Sequence, residues 1–499
     1  MKNYLALDIG TTNWKAAVFT EKGTLLGIER CPTKTHTNAQ GNSYYNPIEL
    51  WESVTTLIKA VIAKTNATIS AISVTSMAEA VVAIDEQGNP VGDIIAWFDT
   101  RSMQEAQWLA DTFTKEKLFS ITGLDVNPIF SLPKILWVRK HQPEIYEKAK
   151  KWLQMADFML MKLTGEFVTD YTFASRTLAF DVLKNEWSSE ILNAVQVDVA
   201  TFPTIVESGT VVGTLLPATA QEIGLPSDVK VVMGGNDHPC AAIVAGAVDG
   251  NKILDSSGTA ESFIYISKKH EVPNMVFNGQ RICRFLQKDR YALWGGIICS
   301  GRSFDWGYSL FGEGSYEETL KSIADTEAMQ SGLIFYPHLR GAGAPHWNPK
   351  ISGSYMGIRD YHTKEHMLKA VLEGLSFQAR MIVEMHENVS GVTADSLCVV
   401  GGGSRNRLWQ HIKANITQKP VEISDESEAT ALGAAMLAAI GDGVYEGIEE
   451  ASAMLAKNNL RITPDTSNKE LYDTFYSLYK MGYDSQVAYH EAIYKAVKG

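Results

Sequence analysis

Residues Leu5–Phe19 read LALDIGTTNWKAAVF: an apolar strand ending in Asp8, a tight Gly10-Thr11-Thr12 turn, and a second strand carrying Lys15. Gly10 lets the backbone approach a ligand with no Cβ in the way. Thr11 and Thr12 offer hydroxyl and backbone N–H groups to phosphate oxygens, and Lys15 adds a point cation. Asp8 supplies a hard carboxylate oxygen of the kind Mg²⁺ prefers. An ordinary hairpin with a polar turn would read the same way, so a second observation has to decide. It comes about half a chain later, where Ile253–Ile266 read ILDSSGTAESFIYI, again strand, aspartate, Ser/Gly/Thr turn and strand. Two related halves, each with a phosphate-type turn, predict two domains closing on one nucleotide.

Composition narrows the class. The 499 residues are 45% apolar, enough for more than one large core. With 45 Lys+Arg against 57 Asp+Glu the formal charge is −12, and no basic run stands out. Nucleic acid and anionic membrane surfaces are therefore not expected as partners. No apolar run is long enough to span a bilayer, and no signal-type segment precedes the first strand. The five cysteines (Cys31, Cys240, Cys283, Cys299, Cys398) are scattered without CxxC spacing, which fits reduced thiols and a cytoplasmic setting.

Strand and helix signals alternate along the chain, the mark of α/β architecture. After Asn46-Pro47, Trp51, Val54, Leu57, Ile58 and Val61 recur at helical spacing; Ile69–Met77 alternates as a strand. Glu144–Leu163 reads as helical up to Thr164-Gly165. Lys230–Met233 is a short strand running into Gly234-Gly235-Asn236-Asp237, with Pro239 expected at the first helical position. Ser396–Val400 is a strand opening into three glycines, Ala429–Ile440 an Ala-rich helix, and Leu471, Phe475, Leu478 and Tyr479 mark a C-terminal amphipathic helix. The expected boundary lies near Val248–Lys252, dividing the chain into residues 1–248 and 249–499.

Two further sites could carry chemistry. Asp237 follows two glycines at a strand end and precedes a helix, where backbone donors and the positive helix end favour its ionised form. Such a carboxylate can take a proton from a substrate hydroxyl in phosphoryl transfer, or can simply cap the helix. His238 reads as an incidental neighbour. Gly401-Gly402-Gly403-Ser404-Arg405-Asn406, opening a helix from Leu408, is where backbone can lie flat against a ring or phosphate. It has neither P-loop nor GxGxxG spacing, which argues against both of those nucleotide folds.

Taken together the motifs resemble the FGGY carbohydrate kinases of the actin/hexokinase-like ATPase superfamily. They are DIGTTNWKAAVF, AWFDTR (Ala96–Arg101), FSLPKILWV (Phe130–Val138), GGNDHPCAA (Gly234–Ala242), GAGAPHWNP (Gly341–Pro349), GSYMGIRDYHTKEHMLKAVLEG (Gly353–Gly374) and GGGSRN. The resemblance implies two actin-like (ribonuclease H-like) domains with the active site in the cleft between them, ATP and Mg²⁺ as cofactors, and a homodimer as an admissible state. It places Asp8 at the metal, Thr11, Thr12 and Lys15 in the first phosphate motif, and Gly258 and Thr259 in the second. Gly301 and Asp305 fall near the nucleotide, Gly402 and Asn406 in the adenosine motif, and Asp237 at the general base.

The same resemblance leaves the sugar open. Xylulokinases carry Gln-Met-His-Gly where this chain has Ser76-Met77-Ala78-Glu79. Glycerol kinases carry Arg-Glu there and a tyrosine where this chain has Ile129, so the loss of two polar clamps speaks against glycerol. Met77, Ala78, Glu79, Trp97 and Asp237 are the expected substrate contacts, with Asp99 near; the plainer reading pairs Glu79 with Arg101. A buried carboxylate also disfavours an anionic substrate such as gluconate. The expected activity is ATP-dependent phosphorylation of a neutral ketopentose of the xylulose type. The alternatives are a tetritol, a tetrulose, another polyol or an aldonate, and, in a different class, a nucleotide-gated sugar-binding or regulatory protein without turnover.

Overall fold

The computed structural model describes residues 1–268, 275–456 and 459–498, and among these two large β-sheets dominate. The first has six strands in the order Val211–Thr214, Lys230–Val232, Ile69–Ser76, Asn3–Ile9, Asn13–Thr20 and Leu25–Pro32. The second has seven, in the order Arg281–Arg284, Arg290–Ile297, Glu261–Lys268, Lys252–Ser257, Ser396–Val400, Val421–Ile423 and Leu460–Ile462. In each, a central strand pairs antiparallel with its hairpin partner and parallel with a strand that returns after a long connection. Asn3–Ile9 and Lys252–Ser257 thus hold equivalent places. The repeat seen in the sequence is a repeat of topology.

Burial explains why these strands read as continuous apolar runs. Tyr4, Leu5, Ala6, Leu7 and Ile9 are wholly buried, because helices cover both faces of the sheet. The helix Pro47–Thr65 covers one face; Asn46 caps it, its Oδ1 accepting the N–H groups of Ile48 and Glu49 at 2.9 and 3.1 Å.

Between the two sheets lie the helices Asp237–Ala245 and Ala429–Gly441. The first packs on strands Lys252–Ser257 and Ser396–Val400 of the second sheet, and the other on Asn3–Ile9 and Ile69–Ser76 of the first. Ala429–Gly441 is apolar around nearly its whole circumference, as befits a core helix. Small residues let the pair touch backbone to backbone: a Cβ built on Gly433 would overlap the Cys240 carbonyl.

Three local expectations need correction. Glu144–Leu163 is not continuously helical, since the strand Lys151–Gln154 separates helices Pro143–Lys148 and Met155–Thr164. Its Trp152 and Leu153 pair with Ala83 and Val82, and a sheet partner overrides helical periodicity. The helix before Val248 starts at Asp237, so Pro239 is its third residue rather than its first. The C-terminal helix spans Lys469–Lys498, but its buried face is Tyr476, Tyr479 and Tyr483, leaving Leu478 exposed. Among the described residues no helix is long and apolar enough to cross a membrane.

Gly433→Val should lower stability by roughly 1–3 kcal/mol through overpacking at the helix crossing. Thermal unfolding with and without nucleotide would measure this; an unchanged melting temperature would contradict the crossing described here.

Candidate active site

A cavity of about 670 Å³ opens in the second lobe, lined by Gly258, Thr259, Gly301, Asp305, Gly402 and Asn406. These are the six second-half positions that the sequence marks for a nucleotide, brought together from three segments. Backbone lies on backbone there: a Cβ on Gly301 would stand 2.6 Å from the Gly258 carbonyl, and one on Gly401 (φ +88°) 2.6 Å from that of Ser257. Gly301 donates its N–H to Gly258 O and Ser300 its own to Thr259 O, both at 3.0 Å. Phe304, Leu320 and Trp409 add apolar wall and Tyr316 polar edge, none of which the sequence singled out, and Arg405 of the glycine-rich motif adds a second polar edge. Asn406 Oδ1 caps the helix Arg407–Thr417 by accepting from Trp409 N at 3.0 Å, while its Nδ2 donates to the Tyr316 hydroxyl at 3.3 Å.

Beneath this cavity Lys413, Asp255 and Glu261 form a wholly buried ionic triad. Lys413 Nζ stands 2.6 Å from Glu261 Oε1 and also pairs with Asp255; Ser300 Oγ donates to Glu261 Oε2 at 2.6 Å. Burial and the neighbouring Glu261 raise the Asp255 pKa against the opposing Lys413. Asp255, the sequence counterpart of Asp8, therefore faces the interior and not the cavity.

A smaller cavity of about 290 Å³ lies between the lobes. Thr11, Met77, Ala78, Glu79, Trp97 and Asp237 line it from the first lobe, and Ser262, Arg281, Trp294 and Trp347 from the second. The turn of the second hairpin serves both spaces, with Gly258 and Thr259 on the larger and Ala260 on the smaller. Trp97 Nε1 donates to Thr11 Oγ1 at 3.1 Å, so Thr11 belongs to the small cavity's wall.

Glu79 pairs with Arg176 (Nε–Oε1 2.7 Å), and Arg101 pairs instead with Asp99 (Nε–Oδ1 2.7 Å). The plainer Glu79–Arg101 pairing is absent because Asp99 is two residues away and turned back on Arg101 and the Ser43 N–H; Asp99 is not among the residues lining this cavity. Arg176 was missed; nothing around it in the sequence signals a site. It also supplies a guanidinium beside Glu79 that Ala78 lacks, so the residue at 78 does not by itself exclude a linear polyol. A second guanidinium, Arg281, pairs with Asp125 (Nη2–Oδ2 3.1 Å) and lies 4.3 Å from the Trp347 ring centroid.

Asp237 is the first residue of its helix, with its side chain 28% exposed. Its Oδ1 accepts the His238 N–H at 2.8 Å and makes no bond further into the helix, so it is not a capping aspartate. His238 stands with its Nε2 4.0 Å from that oxygen and its ring edge-on to Trp294.

The first hairpin is arranged differently from expectation. Lys15 Nζ sits 3.2 Å from Asp8 Oδ2 and 2.9 Å from Glu428 Oε2, with Arg30 also on Glu428 at 3.2 Å. Two carboxylates already neutralise the lysine, one from each lobe, so it is not a free cation aimed at a phosphate. Thr12 is exposed at the turn tip, its carbonyl accepting the Thr33 N–H at 3.0 Å, and it is not among the residues lining either cavity. Burial pushes the Asp8 carboxyl up to about 6, with Lys15 opposing and Asp237 adding to the rise. Among the described residues no three His, Cys, Asp or Glu side chains are grouped to hold a metal. A single carboxylate of this kind fits an Mg²⁺ shared with phosphate oxygens.

Comparisons with known proteins identify the family. Models of the N-terminal and C-terminal domains of the FGGY family of carbohydrate kinases match residues 3–244 and 255–441. The chain is 29% identical over 484 residues to the xylulose kinase of Bacillus subtilis (strain 168), covering 96% of each protein. It is 26% identical over 488 residues to the gluconokinase of the same strain, covering 95% of this chain and 94% of the other. It superposes on ligand-bound xylulose kinase from Lactobacillus acidophilus with a TM-score of 0.92 at 22% identity, over 99% of this chain and 100% of that one. The two domain models span most of the sequence, and the chain belongs to the FGGY family of carbohydrate kinases, sugar phosphotransferases that use ATP.

Proposed function

We propose that this kinase phosphorylates a small neutral sugar, a ketopentose of the xylulose type, with Asp237 as general base. The observation that carries this reading is the shared hairpin turn. It touches both cavities, so a triphosphate in the larger one would reach toward the smaller one where Asp237 stands. On this reading the division between domains falls at residues 248–249.

The adenosine end would lie among Tyr316, Leu320 and Gly402, with the phosphates along Gly258 and Thr259. Asp237 would accept the proton of a sugar hydroxyl as that oxygen bonds to the γ-phosphorus and the bond to the bridging oxygen of ADP breaks. Mg²⁺, met by Asp8, would neutralise charge on the phosphate oxygens. Holding donor and acceptor in two adjoining spaces supplies orientation, which phosphoryl transfer needs more than covalent chemistry.

Substrate charge is read from the wall. Each guanidinium there already has its own carboxylate, and Asp237 leaves a surplus negative charge, which favours a neutral polyhydroxy compound. A second reading rests on the same arginines: an aldonate carboxylate could replace Glu79 or Asp125 as a partner, and gluconokinases are among the similar proteins.

Three outcomes are expected. In a coupled ADP-release assay over ketoses, polyols and aldonates, ketopentoses should give the highest kcat/KM; preference for an aldonate would install the second reading, and no sugar-dependent ADP anywhere would refute both. Asp237→Asn should lower kcat by about 10²–10⁴-fold with the KM for ATP little changed; full turnover would refute the base assignment. Asp8→Asn should abolish most turnover yet stabilise the fold at neutral pH. A carboxyl raised from 3.8 to about 6 destabilises the native state by up to about 3 kcal/mol above that pH, and not at all below about pH 4. The gain in melting temperature should therefore grow between about pH 4 and about pH 6 and then level; a pH-independent difference would contradict it.

A further inference from the structure

Lys134, in the FSLPKILWV stretch, is wholly buried in the helix Ser131–His141. Its ammonium donates to three main-chain carbonyls: Ile129 at 2.7 Å, Glu79 at 2.9 Å and Trp97 at 3.1 Å. Ile129, Glu79 and Trp97 all line the small cavity. They come from three separate segments, one preceding the Lys134 helix, one following strand Ile69–Ser76, and one following strand Ile94–Ile95. One cation with three N–H groups thus ties together three pieces of one wall.

Glu79 shows why such a tie is needed. Its φ is +66°, a left-handed conformation that a side chain bearing Cβ adopts only when its surroundings over-determine it. Lys134 and Ser131 Oγ (3.4 Å) hold its carbonyl, and Gln154 Oε1 accepts its N–H at 2.6 Å. So held, the Glu79 carboxylate meets Arg176 on the cavity wall. Among the described residues no hydrogen bond or ion pair joins Lys134 to a carboxylate, and an apolar side chain of equal length would fill the space without burying a charge.

We propose that Lys134 is a positioning residue for sugar recognition, fixing Glu79, Trp97 and Ile129 as a preformed wall without touching substrate. The proposal rests on the assignment of the small cavity to the sugar. Burial lowers the Lys134 pKa to about 7; Glu79 and Asp99 raise it and Arg101 lowers it further. The neutral amine keeps two N–H groups for three carbonyls, so one segment of the wall is released as the proton leaves.

The test uses the full-length enzyme with its best sugar. Lys134→Met should raise the KM for sugar about tenfold or more while kcat and the KM for ATP stay within about threefold. In the wild-type enzyme the KM for sugar should rise from about pH 6 to about pH 9, with the KM for ATP flat. A folded Lys134→Met enzyme with the wild-type sugar KM overturns the proposal, as does a parallel loss in kcat, ATP affinity and melting temperature. Should that variant not fold, a pH-flat sugar KM in the wild type overturns it. Failure of the cavity assignment looks different, since Asp237→Asn would then also leave turnover unchanged, and both readings would fall together.

Discussion

Backbone contact between two helices, at Gly433 and the Cys240 carbonyl, is the constraint on which the molecule is built. Each helix packs on a sheet of one lobe, so their separation sets the distance between the sheets. A side chain at 433 would push the lobes apart by the thickness of a methyl group. Every residue pair across the small cavity depends on that spacing, because its walls are divided between lobes.

Charge is distributed around this frame with little left unpaired. Lys15 lies between Asp8 and Glu428, Arg176 on Glu79, Arg281 on Asp125, and Lys413 between Asp255 and Glu261. Buried pairs of this sort seldom add net stability compared with well-packed apolar groups. Their value here is geometric, since each one links segments far apart in sequence. The Lys413 triad joins the phosphate-type turn to the helix that follows the glycine-rich loop. Asp237 is different: among the described residues no lysine or arginine pairs with its carboxylate, only the neighbouring His238 approaches it, and it remains partly open to the cavity.

Topology and the clustering of six positions around the larger cavity were legible in the sequence because both depend on local signals. Repeated strand-aspartate-turn-strand units, glycine clusters and an Ala-rich helix each carry their own geometry, and the six cradle positions do line one cavity. The smaller cavity was legible only in part. Met77, Ala78, Glu79 and Trp97 sit where motifs placed them, but Arg176, Arg281, Trp294 and Trp347 arrive through tertiary packing from segments with no distinctive local pattern. Ion-pair partners were the least legible. A lysine in a phosphate-like turn gives no hint that a glutamate some four hundred positions later will claim it, as Glu428 does Lys15. Helical phase failed where a sheet partner intervened, at Lys151–Gln154.

Asp237 begins one of the two helices at the crossing, and Thr11 and Trp347 line the same cavity from opposite lobes. A turn of one lobe against the other about that crossing would move each group in proportion to its distance from it. With Asp237 only three residues from Cys240, its carboxylate would shift less than any wall farther from that contact, whatever ligand the opening admits.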